Sequence, residues 1–175
     1  QFGVVESDTV TRITAAPWES HETTSDVRSL SDVRLLAPTA PSKMVAIGLN
    51  YKSHLGDRTP PSVPEPFFKT PSCVVGQGDT IVLPKDSNLV QEEAELAIVF
   101  GKRCRNASKE NALDFIFGYT CANDVSERNW QKGDLQWWRA KSSDTFGPIG
   151  PFIVTGLNPG NLAIEARLNG KVVQQ

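Results

Sequence analysis

The stretch LVQEEAELAIVF, Leu89 to Phe100, sets Glu92, Glu93 and Glu95 into a run that otherwise reads as a β-strand. A strand repeats every two residues, so Glu93 and Glu95 share one face with Ala97 and Val99, while Ala94, Leu96, Ile98 and Phe100 take the other. Small or apolar residues on both faces predict a strand covered on both sides, where adjacent carboxylates repel each other and lose hydration. Either the pair shares a proton or a cation sits between them. Oxygen-only ligands suit a hard divalent ion such as Mg²⁺, Mn²⁺ or Ca²⁺. A wet sheet edge is the bland alternative. Glu92 points away and is expected to be only solvated.

A second stretch, CANDVSERNWQ, offers Asp124, Arg128 and Gln131 at i, i+4 and i+7, one stripe of a helix expected to begin near Asp124. Asp124 supplies a third carboxylate for a cation; the same spacing also makes an ordinary surface ion pair. RAKSSDTFGPIGP places Lys141 in a Gly/Pro-rich loop, suited to offering a point charge to an anion, although most loop lysines are simply solvated. In GLNYKSHLGD, Asp57 follows His54 by three residues. If this stretch makes one helical turn, the carboxylate fixes the imidazole tautomer and raises its basicity, giving a general base for water. His21 lies in a polar linker and reads as a bystander.

The elements that must position these groups are short. FGVVESDTVTRI reads as a hairpin about Ser7-Asp8, residues 17–40 as loop and linker with a short SDVRLLAP strand, and KMVAIGLNY as a buried strand. GDRTPPSVPEP holds four prolines and is expected to lack regular structure. CVVGQGDTIVLP reads as strand, turn, strand, and Ser108 as the N-cap of a KENALDFIF helix. LAIEARLNGKVVQQ is a hairpin about Asn169-Gly170 whose second arm stops at Gln175, which reads as an incomplete polypeptide. Many short strands and few short helices give a strand-rich α+β class. Residues 1–40 are expected to form a small N-terminal hairpin segment and linker, and 41–175 a catalytic domain incomplete at its C-terminus.

A chain of 175 residues can bury a core, and a net charge of -2 without basic runs argues against nucleic acid. No apolar stretch reaches the roughly 18 residues needed to span a bilayer. Three cysteines without a CxxC pair indicate neither a disulfide framework nor a zinc site, so a cytoplasmic, reducing location is the default, with a mitochondrial one open because the chain begins at Gln1.

GLNYKSH, EPFFKTPS, EEAELAIVFGKR, GYTCANDVSERNWQ and AKSSDTFGPIGP occur in the order and at about the separations of the fumarylacetoacetate hydrolase family. From about residue 44 onward the chain resembles that family, and the N-terminal hairpin resembles a segment appended to many members. The resemblance implies a mixed β-roll fold, a homodimer, and Mg²⁺ or Mn²⁺ held by Glu93, Glu95 and Asp124. It implies that Arg128, Gln131 and Lys141 surround a small anionic 2-oxo acid, and that His54 is catalytic within a segment that often acts as a lid. Three departures from the family pattern involve four residues: Asp57 where a glutamate is common, Glu127 and Asn129 in SERN where SARD is usual, and Ser143 where a phenylalanine would close the pocket. A substrate-contacting Gly-Thr-Pro loop in the family's C-terminal half is absent from the chain.

The implied reaction is C–C bond cleavage of an acylpyruvate through a metal-stabilised enolate, with His54 and Asp57 activating water and Lys141 and Gln131 stabilising negative charge. Oxaloacetate decarboxylation, and tautomerisation or isomerisation of oxaloacetate or a 2-hydroxy-dienoate, use the same groups without water attack. The shorter reach of Asp57 tilts the expectation toward these. A non-catalytic homologue that binds metal and oxo acid is the rival from another class.

Overall fold

The computed structural model describes the chain apart from the side chains at positions 53 and 54, so the His54 of the expected dyad lies outside the described residues. The elements run β1 (Phe2–Glu6), β2 (Thr9–Ile13), β3 (Thr23–Ser29), β4 (Met44–Gly48), α1 (Lys52–Leu55), β5 (Glu65–Lys69), β6 (Val74–Val75), β7 (Val90–Gln91) and β8 (Ala94–Phe100). They continue as β9 (Ile116–Asn123), β10 (Ser126–Glu127), α2 (Arg128–Gly133), α3 (Trp138–Ser142), β11 (Gly147–Val154), β12 (Ala166–Leu168) and β13 (Lys171–Gln174). Strands dominate and helices are short, as the strand-rich α+β class requires.

The central sheet has the order β6-β11-β9-β8, with β8 antiparallel to β9 and at the edge. β1, β2 and β3 form a separate antiparallel sheet. It docks through Trp18, whose indole meets Phe2 and, from β9, Phe117 edge-on at centroid distances of 5.6 and 5.9 Å, an arrangement favoured by the ring quadrupoles. The hairpin β12–β13 turns on Asn169 and Gly170, both at positive φ, as a two-residue type I′ connection demands. Its Gln174 side chain reaches β8, where Oε1 accepts from the Ala94 N–H at 2.7 Å and Nε2 donates to the Ala94 carbonyl at 3.0 Å.

A small core of Cys73, Val125 and Phe146 lies beside the carboxylate-bearing strand ends, with Met44, Ile81 and Val90 packed against it. Gly147 is required here: a Cβ would stand 2.6 Å from the Cys73 Sγ.

Several local expectations are corrected. β3 occupies part of the stretch read as linker, because Thr11 pairs with Val27 and the polar sequence completes a sheet. SDVRLLAP is not a strand; Leu30–Asp32 form a 3₁₀ turn. KENALDFIF gives only a 3₁₀ turn, Ala112–Phe115, before β9 begins at Ile116. Ser108 caps nothing: its N–H instead donates to the Asn111 side chain. In CVVGQGDTIVLP only Val74–Val75 is strand. β8 is not covered on both sides, since Ile98 and Phe100 are exposed.

Candidate active site

The carboxylates are brought together by strand pairing. β8 and β9 place Ala94 opposite Asn123 and Glu95 opposite Ala122. One step further the ladder continues as the Asp124 N–H donates to the Glu93 carbonyl at 2.9 Å. Residues directly opposite in an antiparallel pair project to the same side, so Glu93, Glu95 and Asp124 share one face. Ala122, the small residue opposite Glu95, leaves space there. Asp124 therefore follows directly on the end of β9 and does not open a helix. The expected i, i+4, i+7 stripe is replaced by a strand end followed by α2, in which Arg128 and Gln131 stand one turn apart.

Lys141 closes over this face. It lies in α3 and is only 3% exposed, so the loop expected for it is a helix. Its Nζ donates to Glu93 Oε2 and Asp124 Oδ2, both at 2.6 Å. Lys69, at the end of β5, donates to Asp124 Oδ1 at 2.6 Å and to the Lys141 backbone carbonyl. Arg128 supplies a third cation: Nη2 donates to Glu93 Oε1 at 2.8 Å, Nη1 to Gln131 Oε1 at 3.0 Å and Nε to Gln91 Oε1 at 2.8 Å. The Ser126 hydroxyl lies 3.3 Å from Glu93 Oε2. Five predicted residues, Glu93, Asp124, Arg128, Gln131 and Lys141, thus form one bonded cluster.

The electrostatics separate the two glutamates. Burial opposes ionisation of Glu93, but Lys141 and Arg128 outweigh it and hold its pKa at about 2. Glu95 is pushed up to about 7, first by burial and further by the charges of Asp124 and Glu93, against a hydrogen bond from Tyr51 and the more distant Lys141. Burial and the Glu95 charge push the Tyr51 phenol up in turn. The face therefore holds one carboxylate whose charge is poorly compensated. Asp57 lies exposed in the turn after α1. Glu92 is half-buried outside the cluster.

Among the described residues, no three His, Cys, Asp or Glu side chains converge into a ready-made metal cage. The donor chemistry nevertheless fits a hard cation. Three carboxylates share a face, two of them already converge on an ammonium, and the third carries a raised pKa because burial and the other two carboxylates outweigh the pull of Lys141.

Lys69 is a further site residue, and the sequence carries a signal for it. Phe67 and Lys69 alternate inward along β5, and the Phe67 ring packs edge-on against Trp137 at 5.4 Å. A lysine on the buried face of a strand needs a carboxylate. A concavity of about 430 Å³ lined by Ser72, Trp138, Ser142 and Ser143 adjoins the end of α3. It includes the position where the family pattern places a phenylalanine.

The fumarylacetoacetate (FAA) hydrolase C-terminal family model matches residues 43–175, well over half of the sequence. The chain belongs to the fumarylacetoacetate hydrolase family. A second model, Rv2993c-like N-terminal, matches residues 1–38. Among family relatives, the mitochondrial oxaloacetate tautomerase of Xenopus laevis is 45% identical over 156 residues, covering 85% of this chain and 49% of its own. The crystal structure of a 5-carboxymethyl-2-hydroxymuconate delta-isomerase from Mycobacterium smegmatis superposes with a TM-score of 0.91 at 40% identity, covering 98% of this chain and 69% of that one. A 2-hydroxyhepta-2,4-diene-1,7-dioate isomerase from Mycobacterium marinum gives 0.87 at 43% identity, covering 95% and 63%. The chain spans about half to two thirds of the length of the curated relatives it matches.

Proposed function

We propose that this family member is a tautomerase or isomerase of small 2-oxo acids, with oxaloacetate or a 2-hydroxy-dienoate as substrate class. The observation carrying this reading is the Lys141 ammonium, buried and fixed by Glu93 and Asp124 beside Arg128. An ammonium has three N–H donors. Two are committed to carboxylates, and the third would serve a substrate oxygen on which an enolate charge develops. Arg128 and Gln131 provide the amide and guanidinium groups that orient a substrate carboxylate. No water need be activated. Relatives named as oxaloacetate tautomerase and as diene-dioate isomerases support the proton-transfer reading over C–C hydrolysis.

A divalent ion, Mg²⁺ or Mn²⁺, would be held by Glu93, Glu95 and Asp124, and when bound it supplies Lewis-acid stabilisation of the enolate. Lys69 pairs with Asp124 and, through the Lys141 carbonyl, ties β5 to α3. Acylpyruvate hydrolysis is the second reading, favoured by the family's name, and it requires a base such as the His54–Asp57 dyad.

The test uses full-length protein with Mg²⁺ and three substrates: enol-oxaloacetate, keto-oxaloacetate and an acylpyruvate. Enol–keto conversion is followed by ultraviolet absorbance, decarboxylation by CO₂ release, and hydrolysis by loss of the acylpyruvate chromophore. Acceleration of the first, lost in Lys141→Ala, is expected. Hydrolysis with no tautomerisation refutes the proposal. Inactivity toward all three favours a non-catalytic binding homologue.

A further inference from the structure

We propose that Glu127 is a positioning residue that sets the orientation of Arg128 by tying the strand segment before Glu93 to the start of α2. Glu127 is 0% exposed, and a buried carboxylate is costly unless its oxygens are satisfied. Here backbone N–H groups from two separate segments satisfy it. Oε1 accepts from Asn88 at 3.1 Å and from Leu89 at 2.8 Å, and Oε2 accepts from Trp130 at 2.6 Å, the first turn of α2. The adjoining Arg128 N–H donates to the Leu89 carbonyl at 2.8 Å, so the two segments are stitched in both directions.

The segment held in this way continues through β7, which pairs with β10 as Gln91 opposite Ser126, and on to Glu93. Gln91 and Glu93 are two of the three side chains that receive the Arg128 guanidinium. The third, Gln131, lies in the helix that Glu127 caps. One carboxylate therefore fixes the backbone supporting the guanidinium and the backbone supporting all its acceptors, without touching the guanidinium. Alanine here would leave three backbone donors without their acceptor, and only the two-residue β7–β10 ladder and the Arg128–Leu89 backbone bond would still hold the segments together.

The proposal rests on the reading that Arg128 orients substrate. Its test uses full-length protein with Mg²⁺ and oxaloacetate, the variants Glu127→Ala, Glu127→Gln, Arg128→Ala and the Glu127→Ala/Arg128→Ala pair, and the Arg128 side-chain Nε–H resonance in ¹⁵N-resolved NMR. Glu127→Ala is expected to raise KM roughly tenfold with kcat changed less than about threefold, and to speed solvent exchange at the Arg128 Nε–H. Glu127→Gln, which keeps acceptor oxygen on one side, should fall between. In the Arg128→Ala background the same substitution should change KM by less than about twofold, because the two act as one unit. Additive effects, an unchanged KM alongside a lowered Tm, or an unmoved Arg128 resonance would each overturn the proposal. If Glu127→Ala does not fold, Glu127→Gln decides on the same KM and exchange criteria. If Arg128→Ala leaves KM unaltered, the reading of Arg128 has failed, and the exchange rate of its Nε–H still decides the role of Glu127.

Discussion

Replacing Glu95 with glutamine should stabilise the metal-free protein at alkaline pH and leave it unchanged in acid. The Glu95 pKa rises from 4.5 in the unfolded chain to about 7 in the fold. The folded state therefore holds the proton more tightly, so stability is fully present below pH 4.5 and is lost progressively as pH rises through 7. At 1.36 kcal/mol per pH unit, a completely dry group would lose about 3 kcal/mol over that window. Glu95 is only partly buried, and solvent screening reduces this to about 1–2 kcal/mol. Glutamine has the same shape and no charge to desolvate. In a chelator, Glu95→Gln should raise the Tm at pH 8 by about 3–6 °C for a domain of this size and match the parent at pH 4.5. Saturating Mg²⁺ should reverse the order at pH 8: at 100 times Kd it adds about 2.7 kcal/mol to the parent and much less to the variant, which lacks a ligand. Thermal unfolding by circular dichroism at both pH values, with and without Mg²⁺, gives all four numbers. A parent Tm that does not fall between pH 4.5 and 7, or a glutamine variant equally weakened at both, would refute the electrostatic argument.

Three further outcomes are expected. Lys69→Met removes one cation from the buried Asp124 while Lys141 remains, so the loss should sit near the low end for a broken buried pair, about 3 kcal/mol; a Tm within about 2 °C of the parent would contradict the pairing. Gly147→Ala should cost about 1–3 kcal/mol in urea unfolding because its Cβ would stand 2.6 Å from the Cys73 Sγ, and Cys73→Ala in the same chain should recover part of that; strict additivity would mean the contact is not the cause. Glu93 is held at about 2 when folded against 4.5 unfolded, so its contribution is present above pH 4.5 and disappears as pH falls toward 2; Glu93→Gln should flatten that acid limb, and an unchanged limb would count against the Lys141 and Arg128 pairing.

The site was more legible in the sequence than the elements carrying it. Glu93, Asp124, Lys141, Arg128 and Gln131 were marked by residue type, and the structure gathers all five into one bonded cluster. What failed was local. Helical spacing at Asp124, Arg128 and Gln131 suggested one continuous helix, but the β8–β9 ladder extends to Asp124 because pairing there satisfies its N–H, and tertiary pairing overrides local preference. A Gly/Pro-rich composition around Lys141 suggested a loop, although the five residues before Ser143 include good helix formers and make one turn and a half. Glu127 read as a minor departure in SERN. Its burial depends on donors at residues 88 and 89, nearly forty positions away, and no local pattern could show that.

The grip of Gln174 on Ala94 has a consequence for how this protein behaves in a crowd. β8 is an edge strand, and an edge exposes a row of unpaired N–H and C=O groups on which another chain can build. One glutamine amide, donor and acceptor side by side, meets the Ala94 N–H and C=O together and imitates a single residue of a neighbouring strand. A side chain thus works as a stopper, denying strangers the first rung of the ladder next to the carboxylates.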